Sequence, residues 1–360
     1  MESENEEGPP ACGRDWSELQ GDVLMLIFLK LGVMEVLRAA GSVCRSWRKV
    51  AKEEPELWRR INMTNHGYVR NAHLLKDPTR LAIDRSAGRL EEFSVKHFGD
   101  DYLLWYLRDR TSILKKLCLI SCYQLSEEAI ADTAKRQPLL EEIQITFGSF
   151  SEKVTEIVGK ECPLLKSFKF STSWVNMGTY NPNDVEEISN DDEALGIAKT
   201  MHQLHHLQLI GNRLTNEGLK AILHGCPHLE TLDIRRCYIG LLMGGPRLET
   251  LPDISNVNGT VKPDLAPFMC DKARTQPLIN YIHMRFGLNS ALRPLTLKTI
   301  RLPNDSVDDY EFQVYADREY YSDVKEYYDD VDYEIDDLHD ENLFDYDDLF
   351  SDDEGDDYMF

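Results

Sequence analysis

The spacing L-x-x-L-x-L recurs six times, as Leu90/Phe93/Val95, Leu114/Leu117/Leu119, Leu140/Ile143/Ile145, Leu165/Phe168/Phe170, Leu204/Leu207/Leu209 and Leu229/Leu232/Ile234. The intervals between first positions are 24, 26, 25, 39 and 25 residues. The last two apolar positions of each copy lie two apart, which puts them on one face of a strand. Helical patterns fill the gaps at residues 126–136, 151–161 and 215–225, each opening on a Ser or Thr able to cap it. A strand followed by a helix cannot bury its apolar side alone, but a stack of such units can. The expected fold is therefore α/β: a curved solenoid whose strands run parallel along the concave side.

The period of about 25 falls in the range of leucine-rich repeats. Cys122 and Cys237 follow their strands at one offset, and Cys162-Pro163 and Cys226-Pro227 close helices. That pattern resembles the cysteine-containing leucine-rich repeat. A small apolar side chain filling a tight turn accounts for these cysteines. Eight scattered cysteines without a CxxC pair point to reduced thiols.

Strand alternation selects the outward residues. If Leu117 and Leu119 face the core, then Lys116, Cys118 and Ile120 face the concave surface. The same rule gives Glu142, Gln144 and Thr146; Ser167, Lys169 and Ser171; His206, Gln208 and Ile210; and Thr231, Asp233 and Arg235. A surface of mixed charge and modest apolarity suits a protein partner. It shows neither a glycine-rich phosphate cradle nor a paired acid and base. The 39-residue interval holds a loop with Trp174, Met177 and Tyr180, a contact site or a tolerated excursion. After Gly240 the pattern lapses for some 55 residues, until Leu297, Ile300 and Leu302 supply one more copy. Residues 240–294 thus read as an irregular insertion and 295–304 as a terminal strand.

In front of the repeats, apolar residues at Val23, Leu24, Ile27, Phe28 and Leu31 predict one short helix, and those at Val36, Leu37, Ala40, Val43 and Trp47 a second, with Gly32 between. Pro55 opens a third short helix or turn carrying Leu57 and Trp58. Three helices in about 45 residues bury too little surface to stand alone. The stretch reads as a docking handle. The order W-x-x-L, D-V-L-x-x-I-F-x-x-L, V-C-R-S-W-R and P-x-L-W-R, from Trp16 to Arg59, resembles the F-box of ubiquitin-ligase substrate receptors.

The resemblance implies a non-catalytic subunit that binds a Skp adaptor, and through it a cullin, while the repeats hold a protein substrate. The adaptor contacts it implies are Leu19, Val23, Leu24, Ile27, Phe28, Leu31, Leu37, Val43 and Trp47. Where the family usually carries Pro after the first Leu, this chain has Gln20-Gly21, which loosens the approach to the first helix. The competing reading is a non-ligase scaffold that binds basic proteins through the repeats and an acidic tail.

That tail carries most of the net charge. Of −23 overall, residues 305–360 contribute −22, from 24 acidic and two basic residues, and interleave nine tyrosines. Charge at that density resists collapse, and the tail is expected to stay extended, as a solvating segment or as one that binds a basic partner. The remainder is nearly neutral and has no basic stripe, which argues against nucleic-acid binding. The longest apolar run is too short to span a membrane. No secretory signal opens the sequence, and a nuclear and cytoplasmic protein is expected. His202, His205, His206, His224 and His228 gather with Cys226 around one repeat, yet His205 and His206 sit in a strand motif, which breaks metal-site geometry; no metal or other cofactor is expected. The organisation expected is a disordered segment over 1–14, the F-box over 15–61, a junction over 62–87, repeats over 88–239, the insertion, the terminal strand and the disordered tail.

Overall fold

The computed structural model describes residues 16–65, 72–146, 151–171, 191–212, 214–235, 237 and 297–301. The expectations for 1–14, the loop holding Trp174, Met177 and Tyr180, the insertion and the tail fall outside them.

An eight-stranded parallel sheet runs in sequence order through β1 (Arg60–Met63), β2 (Glu92–Lys96), β3 (Lys116–Ile120), β4 (Glu142–Thr146), β5 (Ser167–Ser171), β6 (His206–Ile210), β7 (Thr231–Asp233) and β8 (Thr299–Arg301). Pairing is in register, so equivalent residues form rows, as in Phe93↔Leu117↔Ile143↔Phe168↔Leu207↔Leu232↔Ile300. That row and the next, Val95 to Leu209, are buried and make the spine of the core. Helices α5 (Lys76–Arg85), α6 (Asp101–Arg110), α7 (Glu127–Arg136), α8 (Glu152–Glu161), α9 (Asp192–Thr200) and α10 (Asn216–Gly225) join the strands and pack on one another in order. This is the solenoid that the leucine spacing predicts.

Capping explains where the helices begin. Ser126 Oγ accepts from Ala129 N (3.1 Å), Ser151 Oγ from Val154 N (3.4 Å) and Thr215 Oγ1 from Glu217 N (3.1 Å). Each cap is in turn held by a carboxylate of the preceding unit: Asp101 accepts from Ser126 N (2.8 Å), Glu127 from Ser151 N (2.6 Å) and Asp191 from Thr215 N (2.7 Å). The helix starts are thereby stapled from one repeat to the next. Buried Gln137 does the same deeper in, accepting from Leu114 N (3.2 Å) and donating to the Thr111 carbonyl. Cys122, Cys162, Cys226 and Cys237 are buried free thiols whose pKa burial pushes up to about 12, the chemistry of packing groups and not of nucleophiles.

Three details depart from the sequence reading. The second predicted helix is broken at Cys44, whose backbone is extended (φ −162°, ψ 173°). Helical turns at Val33–Glu35 (α2), Val36–Ala40 and Gly41–Val43 (α3) precede it, and a separate helix, α4 (Arg45–Glu53), carries Trp47. The break lets the Trp47 ring meet Phe28 edge-on at 5.4 Å. Secondly, residues 62–87 do more than join: β1 pairs with β2, and α5 follows it as the first helix of the stack. Trp58, Ile61 and Met63 repeat the three-then-two spacing of the later motifs, with Trp in place of the first Leu, and all are buried. Thirdly, seven residues assigned to the open concave face, namely Cys118, Ile120, Gln144, Thr146, Ser171, Ile210 and Arg235, are buried. All but Cys118 and Gln144 lie at or beyond the C-terminal ends of their strands.

Candidate docking surfaces

The front module is built around α1 (Gly21–Phe28). Leu24 and Phe28 point inward, each 1% exposed, and meet Val36, Leu37 and Ala40 in one core that continues into the repeats. Leu24, Phe28 and Leu37, expected among the adaptor contacts, therefore hold the module together and offer no free surface. Of the other expected contacts, Val23, Leu31 and Val43 are exposed, while Leu19, Ile27 and Trp47 are half-buried. The spacing of α1 explains the split: with 3.6 residues per turn, positions 24 and 28 share the inner face, and positions 23 and 26 lie off it.

Two exposed residues lie off the stripe that apolar periodicity selects. Leu26 is 64% exposed and Leu29 50%. Trp16, at 55%, joins them. A bulky apolar residue off the stripe of an amphipathic helix was the available signal. The N-terminal turn Trp16–Glu18 is tied down by the Trp47 indole, which donates to the Trp16 carbonyl (2.9 Å), and by Ser46 Oγ, which donates to the Ser17 carbonyl (3.2 Å). Gln20 takes φ −64° and ψ 146°, close to the backbone that a proline would impose.

One carbonyl couples this module to the solenoid. Ala51 O, in Arg45–Glu53, accepts from the Trp58 indole (3.2 Å) and from Arg85 Nη1 of α5 (3.5 Å). The Arg85 guanidinium also lies over the Trp58 ring, 5.5 Å from its centre, and burial lowers its pKa. Beside this joint lies a cleft of about 550 Å³, with Leu31, Val33, Trp58, Arg60 and Glu92 among the residues that line it.

On the repeats, Lys116, Glu142, Ser167, Lys169, His206, Gln208, Thr231 and Asp233 remain at least partly accessible. Their side chains pair across strands. Lys116 and Lys169 reach Glu142 at 3.3 and 3.4 Å, His206 Nδ1 meets Thr231 Oγ1 at 2.9 Å, and Gln208 donates to Asp233 at 3.0 Å. Asp233 also holds Arg235 (2.7 Å). The accessible face is thus polar throughout, without the modest apolarity expected of it. A second row just before the strands alternates in charge: Arg59 and Lys115 on Glu91 (2.8 and 3.3 Å), Lys166 on Glu141 and Lys298 on Glu230 (2.7 Å each). Hydrogen bonding, from Arg59 above all, lowers the Glu91 pKa.

The histidines serve packing and hydrogen bonding. His205 stacks on His228 at 6.1 Å, and Nδ1 of His202 and of His224 bonds a backbone carbonyl at 2.7 Å. Among the described residues no three His, Cys, Asp or Glu side chains converge as metal ligands would, and no helix is long and apolar enough to cross a membrane.

Residues 21–64 match the family model described as F-box-like. The chain is 33% identical over 313 residues to putative F-box/LRR-repeat protein 22 of Arabidopsis thaliana, covering 86% of this chain and 84% of that protein. It is 39% identical over 242 residues to the F-box protein SKIP19 of the same plant, covering 66% and 76%. Putative F-box/LRR-repeat protein 23, again from Arabidopsis thaliana, is 39% identical over 233 residues, but the match spans only 50% of its length. With an F-box-like module in front and an in-register parallel solenoid behind it, the chain belongs to the F-box/LRR-repeat family.

Proposed function

We propose that this protein is the substrate-recognition subunit of a ubiquitin ligase of the Skp–cullin–F-box type. The front module docks on a Skp adaptor, which links it to the cullin, and the concave face of the solenoid holds a protein substrate. The observation that carries this reading is the number of bulky apolar side chains that one small module leaves exposed: Trp16, Val23, Leu26, Leu29, Leu31 and Val43. So many on so short a segment suit an interaction site. At roughly 1.5 to 3 kcal/mol for each fully buried aliphatic side chain, these residues supply on the order of 10 kcal/mol against association costs of similar size. The subunit supplies proximity and no covalent chemistry of its own.

Co-expression with a Skp adaptor, followed by affinity capture, tests the reading. The wild-type chain is expected to retain the adaptor, and Leu26→Asp together with Leu29→Asp to lose it with an unchanged circular dichroism spectrum. No capture of the adaptor at micromolar concentration would sink the proposal. The charge of residues 305–360 favours one other role, a scaffold for basic proteins. Deleting that segment separates the two, since a ligase receptor keeps its adaptor and an acidic scaffold loses its main ligand. A nuclear and cytoplasmic distribution is part of the proposal and is checked with a fluorescent fusion.

A further inference from the structure

The cleft beside the joint is lined by charged and apolar residues together. Its volume of about 550 Å³ falls in the range of preformed binding sites, roughly 300 to 1,000 Å³, which holds a chain end but not a folded partner. Most of its charges are already matched. Glu56 holds Arg59 (3.1 Å) and Arg89 (2.9 Å), and Glu91 holds Arg59 (2.8 Å) and Lys115 (3.3 Å). Arg60 and Glu92 differ. They are partners in register on β1 and β2, yet among the described residues neither side chain makes a hydrogen bond or an ion pair. With these partners counted, four cations, Arg59, Arg60, Arg89 and Lys115, stand against three carboxylates, Glu56, Glu91 and Glu92. The next group along the sheet, Lys116 and Lys169 on Glu142, is also positive on balance. The local charge therefore leaves room for one more carboxylate.

The apolar part of the lining narrows the ligand. Leu29 and Leu31 are exposed and Val33 is half-buried, and all three line the same cleft as Arg60. A ligand matched to both parts carries a carboxylate for the Arg60 guanidinium, whose planar fork suits that group, beside an apolar side chain. An internal acidic residue of a partner protein supplies the first without the second. An apolar residue at a C-terminus supplies both at once, and its N–H is left for the Glu92 carboxylate to accept. Arg60 and Glu92 also open the row of the concave face that continues to Lys116. Resting on the reading of that face as the substrate site, we infer that the cleft takes the C-terminal residue of a protein substrate, one with an aliphatic side chain and a free carboxylate. Arg60 binds the carboxylate, and the side chain lies against Leu31 and Val33. Leu29 and Leu31 belong to the adaptor-docking surface as well, so the substrate's end is held where the two surfaces meet.

The test uses the full-length chain and an N-terminally fluorescein-labelled peptide, Gly-Ser-Gly-Ser-Ala-Leu, read by fluorescence anisotropy. The free acid is expected to bind, and both its C-terminal amide and the peptide ending in Asp to bind about five-fold or more weakly. Arg60→Gln is expected to weaken the free acid by a similar factor and to abolish the preference over the amide, with Arg60→Lys recovering part of the affinity. Lys160→Gln on α8 is expected to change nothing. No saturable binding of the free acid, equal binding of the amide or of the Asp-ended peptide, or an unchanged affinity in Arg60→Gln overturns the inference. Adaptor capture is measured on the same proteins. Retained adaptor without preference for the free acid rejects the C-terminal assignment and leaves the ligase reading standing, whereas failure of the wild-type chain to capture the adaptor rejects that reading independently.

Discussion

Leu24 and Leu26 stand two residues apart on α1 and face different surroundings, so alanine at each separates core from interface. Leu24 is 1% exposed and packs in the continuous core. Its truncation should cost about 2 to 5 kcal/mol. If α1 opens as a local unit, 2 kcal/mol corresponds to amide hydrogen exchange across Gly21–Phe28 about 30-fold faster than in the wild type. Leu26 is 64% exposed, and its loss should move stability by no more than about 0.5 kcal/mol. Scaling roughly 1.5 to 3 kcal/mol for a buried Leu by that exposure leaves about 1 to 2 kcal/mol for the adaptor, a Kd weakened about 5- to 30-fold. Exchange mass spectrometry and titration calorimetry with the adaptor read the two effects. Leu26→Ala with unchanged Kd, or Leu24→Ala with unchanged exchange, would refute the assignment of faces.

Other perturbations follow from the geometry. Gln20→Pro should stabilise the module by about 0.4 to 1 kcal/mol, because the native φ of −64° suits proline and the unfolded chain loses freedom; a lower melting temperature would contradict this. Gln137→Leu leaves the Leu114 N–H and the Thr111 carbonyl without their side-chain partner, and should cost about 1 to 3 kcal/mol for each group left unpaired in urea unfolding. Gly225→Ala would place a methyl group 2.1 Å from the Ala198 carbonyl oxygen and should destabilise by about 1 to 3 kcal/mol, whereas Gly21→Ala meets nothing within 4 Å and should stay within about 1 kcal/mol of wild type. Glu156, hydrogen-bonded by Lys160 and by Lys199, has its pKa lowered from 4.5 to about 2. A lowered carboxylate pKa contributes stability above its unfolded value that is lost as pH falls through the folded one, so the melting temperature should drop between those two pH values, and Glu156→Gln should flatten that limb.

The strand motif made the solenoid legible, because buried leucines two apart are a local pattern that survives in any single repeat. Even the last copy, Leu297 and Ile300, takes its place on the sheet. Trp58, Ile61 and Met63 are not legible as a repeat from sequence, because their residues differ from leucine and because they fall within the front module. On the concave face, period-two alternation found the correct side of each strand but not its accessibility. That depends on neighbours across the sheet, as when the small Cys118 sits between its row partners Ser94 and Gln144. In the front module the apolar spacing that identifies α1 also selects its inner face. Periodicity therefore points to Leu24 and Phe28, which pack inward, and passes by Leu26 and Leu29, which stand exposed off the stripe.

The pairing of β7 with β8 has a consequence for how such a chain can lengthen. Thr231 follows its row partner His206 by 25 residues, while Thr299 follows Thr231 by 68, yet the lateral match is kept. Closure entropy grows only with the logarithm of length, so lengthening a link from 25 to 68 residues adds about 0.9 kcal/mol. A seam of this kind lets new sequence enter between two rungs without shifting those on either side.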